Sequence, residues 1–342
     1  MIATSAQSSE KPDVLVEVEG LQTYFLTRGE PMRAVDGVSF KLRGGEVLGI
    51  VGESGSGKTI TGHSILGLVD PPGRVVGGSI RFRGRDLLSL SDEELRQLRG
   101  DAIAAVFQDP MMTLNPVLRI DTQIMEAIRS HHRVSKGEAR RRAVEVLRLV
   151  GIPSPEKRAS AYPHELSGGM RQRVVIAIAL VNSPALIIAD EPTTALDVTI
   201  QSQIIYEMRK LCREKGTAMI WITHDLSVVA SLADRICVMY AGEIVEEGDT
   251  EEVLGQPAHH YTGGLIASIP SGSQPGEQLP QIKGMITRYP AADQGCRFRD
   301  RCPAKTDICD TRPPDVRISD SHSAKCHHPV HAPTMLAQES TP

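Results

Sequence analysis

A glycine-rich segment, GESGSGKT at residues 52–59, follows the apolar run VLGIV and precedes a helical stretch. This is the P-loop pattern in the strand–loop–helix context that it requires. The glycines let successive backbone N–H groups surround a phosphate, and the next helix directs its positive end at the same anion. We therefore predict that the chain binds a nucleoside triphosphate. The predicted contacts are Gly52, Glu53, Ser54, Gly55, Ser56, Gly57, Lys58 and Thr59, with the Thr59 hydroxyl facing Mg²⁺.

The stretch ALIIADE provides the acidic strand end that such a site needs. Asp190 follows an apolar strand core, where its carboxylate can join the Mg²⁺ shell. Glu191 comes one residue later and can polarise the attacking water. Acidic residues also close strands onto solvent, but two adjacent carboxylates in a chain with a P-loop favour the catalytic interpretation.

The second half of the chain alternates between apolar strands and helices. ALIIAD (185–190) and AMIWIT (218–223) are almost continuously apolar, which is typical of buried parallel strands in an α/β domain. Helix starts are predicted at Ser91 and Ser135, each with a glutamate three residues later. VLVEVEGLQTYF (14–25) alternates as an opening strand does.

Composition limits the class of protein. The 342 residues are 40% hydrophobic and carry a net charge of −4, which argues against a general nucleic-acid binder. The longest apolar run, VVIAIALV (174–181), is shorter than the roughly 18–20 residues of a membrane span. Residues 1–12 are interpreted as a disordered lead-in without the features of a secretory signal. A reducing cytosolic environment follows as the expectation.

A second helix start, LSGGMRQRVVIAIAL at 166–180, presents a hydroxyl and free N–H groups at its positive end. Ser167, Gly168 and Gly169 would thus form another anion site, although the P-loop already holds the triphosphate. A chain that binds one nucleotide would have two phosphate sites, the P-loop and this helix start. This makes sense if the second site contacts the nucleotide bound by another chain.

On these motifs the chain resembles the ATP-binding-cassette (ABC) ATPases over roughly residues 14–255. Their signature is LSGGQ, and Met170 stands here in place of the glutamine. The resemblance implies a RecA-like core plus a helical subdomain, and head-to-tail pairs that hold ATP between the P-loop of one chain and the signature of the other. It also implies further contacts: Gln108 to Mg²⁺, Asp197 across the dimer interface, His224 to the γ-phosphate, and Phe25, or its neighbour Tyr24, against adenine.

The domain organisation expected from this resemblance has three parts. The lead-in spans residues 1–12, and the nucleotide-binding domain spans 13–270 with its helical subdomain at about 110–166. A linker and a small cysteine-rich extension occupy 271–342. The stretch DPMMTLNPVLRI after Gln108 is a candidate docking surface for a membrane partner, and ordinary core packing explains it about equally well.

The C-terminal part, with YTGGLIASIP and GCRFRDRCPAKTDIC, is similar to the oligopeptide/dipeptide (peptide/nickel) importer ATPases. This resemblance implies an ATPase on the cytoplasmic side of the membrane. Its partners would be a second, homologous ATPase chain, two membrane permeases and, indirectly, an external solute-binding protein. Nickel or another solute is an alternative cargo, and a soluble assembly such as one for phosphonate degradation is an alternative function.

Four cysteines, Cys296, Cys302, Cys309 and Cys326, are separated by five, six and sixteen residues. In a reducing compartment metal binding is favoured over disulfides. Zinc sites prefer closer pairs, so the spacing favours a [4Fe–4S] cluster, which some members of this importer group carry. Zinc with one histidine ligand, and four unligated thiols, are the alternatives. The candidate histidines are His322, His327 and His328.

Three further expectations concern two other cysteines, the folding of the extension and its arginines. Cys212 and Cys237 lie in apolar contexts and are predicted to be buried as small hydrophobic residues. A metal core would explain how a short polar extension stays folded. Arg297, Arg299 and Arg301 within it are expected to be solvated or in ion pairs.

Overall fold

A computed structural model describes residues 14–26, 30–193, 197–269, 280–287 and 293–330 of the chain. Its strands are β1 Val14–Phe25, β2 Met32–Arg43, β3 Val47–Val51, β4 Gly73–Phe82, β5 Arg85–Asp86, β6 Ile103–Val106, β7 Leu186–Asp190, β8 Ala218–Thr223, β9 Arg235–Tyr240, β10 Glu243–Asp249, β11 Asp315–Arg317 and β12 Ser323–Lys325. Its helices are α1 Lys58–Leu66, α2 Asp92–Leu98, α3 Pro110–Thr113, α4 Ile120–Arg129, α5 Lys136–Leu149, α6 Pro155–Arg158, α7 Gly168–Leu180, α8 Val198–Lys215, α9 Leu226–Leu232, α10 Thr250–Gly255 and α11 His260–Ala267.

The described strands form two sheets. The larger has the order β11-β12-β10-β9-β3-β8-β7-β6, and the smaller has the order β2-β1-β4-β5. Strands β9, β3, β8, β7 and β6 run parallel, and β10 is antiparallel to β9. The predicted parallel α/β core is confirmed, but the whole sheet is mixed. The smaller sheet is antiparallel throughout its described pairings.

The larger sheet has hydrophobic residues packed against both faces. One core contains side chains of α4, α5, α7, α8 and α9, and the other contains those of α1 and the smaller sheet. Strands β3 and β8 are buried at every position, which explains their continuous apolar sequence. Among the described residues, none of the helices is both long and apolar enough to cross a membrane.

Side-chain caps begin the helices where the sequence predicted them. Ser91 forms a capping box with Glu94 at the start of α2, and Ser135 accepts a hydrogen bond from the backbone N–H of Glu138 at α5. Ser167 caps α7 in the same way. The chain turns at Gly44 and Gly45 between β2 and β3, so that β2 joins the smaller sheet and β3 the larger one.

The C-terminal segment, residues 293–330, packs directly against the cassette. Strand β12 pairs with β10 and β11 pairs with β12, so the segment extends the larger sheet. Phe298 is 2% exposed and contacts Tyr240 and Tyr261. The segment thus buries an aromatic side chain against the cassette and adds two strands to its sheet, contacts that do not involve a metal.

Candidate nucleotide-binding site

The parallel strands of the larger sheet bring the predicted site residues to one edge. The P-loop follows β3, and Gln108 follows β6 closely. Asp190 ends β7, and His224 comes directly after β8. Ligands of open α/β sheets bind at the carboxyl ends of the strands, which is where these residues lie.

The P-loop requires glycine at Gly57. Its φ is 103°, and a Cβ atom there would lie 2.3 Å from the backbone oxygen of Ala34. Any other residue would be strained in φ and would also collide with that carbonyl. The conformation turns the chain directly into α1, whose first residue is Lys58.

The Lys58 ammonium lies inside the loop. Its Nζ atom donates to the backbone oxygens of Gly52, at 2.8 Å, and Glu53, at 2.9 Å. The residue is 5% exposed, and this burial lowers the pKa of Lys58 while nearby carboxylates act in the opposite direction. The loop therefore holds a positive charge at its centre, as binding of a triphosphate requires.

Oxygen ligands suited to Mg²⁺ lie beside this lysine. The Thr59 hydroxyl donates to Oδ1 of Asp190 over 3.1 Å. Burial raises the pKa of Asp190. A hydroxyl and a carboxylate at the phosphate end of the P-loop fit a hard divalent cation, which prefers oxygen ligands.

The carboxylate of Glu191 is held on both oxygens. Nδ1 of His224 lies 3.0 Å from Oε1, and Nε2 of Gln108 donates to Oε2 over 3.3 Å. The backbone φ of Glu191 is 45°, an unfavourable value for a residue with a side chain. Residues that follow two neighbouring strands thus both contact the carboxylate of Glu191 beside the P-loop.

A cavity of about 1130 Å³ covers this edge of the sheet. Its lining includes the P-loop, Gln108, Glu191 and His224, and Phe25 lies in its wall. Tyr24 is engaged elsewhere, since its hydroxyl donates to Oδ1 of Asp36 over 2.7 Å. Of the two aromatic candidates, Phe25 is the one that faces the cavity.

The other predicted nucleotide contacts do not meet in this cavity. Ser167, Gly168, Gly169 and Asp197 lie outside its described lining. Ser167, Gly168 and Asp197 are exposed at the surface. Within the single chain, the P-loop cavity and the exposed segment at Ser167 are therefore separate.

Residues from the C-terminal part contribute contacts that the sequence did not reveal. Leu265, Ile286 and Thr287 line the cavity. The backbone N–H of Glu53 donates to the hydroxyl of Tyr261 over 2.8 Å, and the Glu53 carboxylate pairs with Arg301 at 2.6 Å. No local pattern signals these contacts, because the partners are more than 200 residues apart in the chain.

The expected ion pairs of the segment's arginines are present and mostly buried. Arg297 pairs with Asp36 and Glu243, and Arg299 pairs with Asp293. Their side chains are 9% exposed. Cys212 and Cys237 are buried, as predicted.

The four cysteines of the C-terminal segment come together as free thiols. Burial raises the pKa of Cys296 to about 11, and the other three thiols act in the same direction. Yet among the described residues no group of three or more His, Cys, Asp or Glu side chains is arranged to hold a metal ion. This arrangement of the thiols does not support the predicted [4Fe–4S] ligand set or its zinc alternative.

The three candidate histidines make contacts with oxygen atoms. Nε2 of His322 lies 2.7 Å from Oε1 of Glu246, and both residues are buried. Nε2 of His328 lies 2.6 Å from the Thr306 hydroxyl, and Nε2 of His327 lies 3.2 Å from the backbone oxygen of Thr311. The His322 contact joins the C-terminal segment to β10, and the other two lie within the segment.

Two family models match the chain. The model described as ABC transporter covers residues 35–194, and the model described as oligopeptide/dipeptide transporter, C-terminal region, covers 245–309. Among solved structures, the dimeric post-hydrolysis state of the ATP-binding cassette MJ0796 with ADP and Pi is 31% identical, with a TM-score of 0.63. The match spans 69% of this chain and 99% of that one.

Curated relatives match over nearly the whole length. The dipeptide transport ATP-binding protein DppD of Escherichia coli strain K12 is 45% identical over 92% of this chain and 97% of its own. The oligopeptide transport ATP-binding protein OppD of Bacillus subtilis strain 168 is 49% identical over 91% of this chain and 88% of its own. This chain is an ATPase and belongs to the oligopeptide/dipeptide group of ABC transporter ATP-binding proteins.

Proposed function

We propose that this ATPase powers the import of dipeptides or oligopeptides as one of two ATP-binding subunits on a pair of membrane permeases. The observation that carries the proposal is full-length similarity to proteins named for dipeptide and oligopeptide transport. An external solute-binding protein would deliver the cargo. The subunit would act peripherally, on the cytoplasmic side of the membrane.

Each site residue then has a proposed role. Lys58 and the P-loop amides bind the β- and γ-phosphates, and Phe25 stacks on the base. Thr59, Asp190 and Gln108 would hold Mg²⁺, which neutralises phosphate charge when bound. Glu191 accepts the proton of the attacking water, and His224 orients that carboxylate from 3.0 Å away.

The second half of the nucleotide site would come from a partner subunit. Ser167, Gly168 and Gly169 of one chain would close on the triphosphate held by the P-loop of the other, with Asp197 at the interface. The exposure of Ser167 and Gly168 in the single chain supports this proposal. ATP would bridge both surfaces and close the pair, and hydrolysis would reopen it.

The permease contact is proposed at α3 and the loop after it. Met111, Met112 and Val117 are 48%, 86% and 76% exposed, whereas Leu114 and Ile120 are buried. Some of the segment's apolar side chains thus pack into the core, and the others form an exposed apolar surface. Flexible methionines suit contact with a partner surface.

The iron–sulfur cluster of Cys296, Cys302, Cys309 and Cys326 stays a sequence prediction, with zinc as the alternative. The four thiols are close enough to influence one another, but no metal-ligand set is formed among the described residues. Iron, sulfide and zinc analysis of anaerobically purified full-length protein tests it. Stoichiometric iron with visible absorption supports the cluster, and metal-free protein contradicts both alternatives.

Uptake of a labelled dipeptide by cells tests the import function. Cells that lack the gene for this chain should lose ATP-dependent uptake of the dipeptide. Expression of the wild-type protein should restore uptake, whereas expression of the Lys58→Ala variant should not. Unchanged peptide uptake after deletion would refute the proposal. Loss of uptake for nickel or another solute instead would identify a different cargo, and a stable complex without membrane proteins would favour a soluble assembly.

A further inference from the structure

Glu53 of the P-loop is bound by the C-terminal part of the chain at both its backbone and its side chain. Its N–H donates to the hydroxyl of Tyr261 over 2.8 Å. Its carboxylate receives both arms of the Arg301 guanidinium, with N–O distances of 2.6 and 2.9 Å. Such bidentate pairs fix geometry as well as charge.

Arg301 itself has little freedom to move. Its side chain is 4% exposed, and the guanidinium lies over the rings of Tyr240 and Phe298. Nε donates to the backbone oxygen of Lys283 over 2.9 Å, and the terminal nitrogens also reach the Tyr240 hydroxyl and the Ile282 backbone oxygen, each over 3.3 Å. These contacts match the five N–H donors of a guanidinium.

The position of the Glu53 carboxylate makes this contact relevant to ATP binding. Glu53 lies in the wall of the nucleotide cavity, and its charge acts on the pKa of Lys58. An uncompensated carboxylate here would repel the phosphates and would attract the Lys58 ammonium that should bind them. The Arg301 guanidinium compensates the charge of the Glu53 carboxylate and fixes its position by bonding to both of its oxygens.

We propose that Arg301 is a positioning residue for the P-loop, and that the C-terminal segment is therefore a structural part of the nucleotide site. This inference rests on the assignment of the P-loop cavity as the ATP site. It goes beyond that assignment, since it makes ATP affinity depend on a residue of the cysteine-rich segment. The competing explanation is that Arg301 only anchors the segment to the cassette.

Calorimetric titration of the full-length chain with Mg·ATP separates the two explanations. We expect Arg301→Gln to weaken the Kd for ATP about tenfold, because the charge of Glu53 would then act on the phosphates without compensation. Adding Glu53→Gln to that variant should restore the Kd to within about threefold of wild type, because the repelling charge is then gone. Glu53→Gln alone should bind ATP at least as tightly as wild type.

The matched control is Arg317→Gln, in the same segment. Arg317 pairs with Asp320, and both side chains are largely exposed, at 70% and 93%. This variant should leave the Kd unchanged. Thermal unfolding of every variant shows whether the protein is folded. If Arg301→Gln does not fold, the Kd of Glu53→Gln for ATP still tests the inference.

Three outcomes would overturn the inference. They are an unchanged Kd in folded Arg301→Gln, a double variant that stays as weak as the single one, and weaker binding by Glu53→Gln. In each of these cases wild-type ATP binding would still support the ATPase assignment. Absence of ATP binding by wild-type protein would instead remove the nucleotide site, and the inference with it.

Discussion

Nδ1 of His224 lies 3.0 Å from Oε1 of Glu191, and the residue that carries this carboxylate has a backbone φ of 45°. Unfavourable backbone conformations persist where the surrounding structure enforces them, and they concentrate at functional sites. Here the backbone N–H of Glu191 donates to the backbone oxygen of Ile222 in β8 over 2.9 Å. The contacts from His224 and Gln108 then fix the direction of the Glu191 carboxylate.

Glu191→Gln should bind ATP but lose turnover. The amide keeps the shape and can still contact His224, but it cannot accept a proton, so phosphate release should fall by about 10²–10⁴-fold. The variant should accumulate as a closed dimer in ATP, measurable by light scattering after size-exclusion chromatography. Near-normal phosphate release would show that another group is the base.

Asp190→Asn should stabilise the apoprotein and abolish its response to Mg²⁺. Burial raises the pKa of the Asp190 carboxyl because its ionised form is less favourable in the folded protein than in the unfolded chain. The protonated carboxyl therefore favours folding at low pH, and this contribution is lost as the pH rises through the pKa of the folded state. Removing the charge at neutral pH should therefore raise the Tm without ligand. Differential scanning calorimetry with ATP should then show no added shift on Mg²⁺ addition, and a Mg²⁺-dependent shift would contradict the assignment.

His259→Asn should make stability less dependent on pH. Burial lowers the pKa of His259 to about 4, so the unfolded chain binds an extra proton between about pH 6.5 and 4. The wild-type protein should lose up to about 3 kcal/mol from this group as the pH falls through that range. Asparagine can still accept the hydrogen bond that Nδ1 takes from the Tyr261 N–H.

Urea unfolding at several pH values measures this effect. The free energy of unfolding of His259→Asn should fall less steeply below pH 6.5 than that of wild type. Glu246 and His260 also act on this site, and both stay unchanged in the comparison. Parallel curves for the two proteins would show that His259 is not the titrating group.

Phe298→Ala should loosen the C-terminal segment from the cassette. The ring is 2% exposed and contacts Tyr240, Tyr261 and His259, so truncation should cost about 3–5 kcal/mol. Faster proteolysis within 293–330 and a lower free energy of unfolding would confirm it. Ile308→Ala is the control, since Ile308 is 51% exposed in the same segment.

The sequence predicts best what depends on neighbours along the chain. The P-loop, the strand end at Asp190 and the caps at Ser91 and Ser135 each follow from a few adjacent residues, and parallel pairing then brings the strand ends together. Gln108 and His224 were predicted from the family resemblance, and the structure brings both of them to the carboxylate of Glu191.

Contacts between distant segments could not be predicted in this way. The arginines of RFRDR suggest ion pairs, but nothing in that string indicates that Arg301 reaches Glu53, which is 248 residues away. Likewise, strands β11 and β12 have three residues each, too few to show a periodic pattern. Cysteine spacing suggested a metal site, whereas burial and sheet pairing, which spacing does not report, hold the segment.

The pairing of β12 with β10 also covers the edge of β10. Without this cover, β10 would offer its unpaired N–H and C=O groups to any other extended chain, which is a common route to aggregation. The outermost strand, β11, is only Asp315–Arg317, and its ends carry opposite charges. The C-terminal segment thus ends this side of the sheet with a short, charged strand that disfavours pairing with another chain. A chain truncated before residue 293 should therefore aggregate more readily.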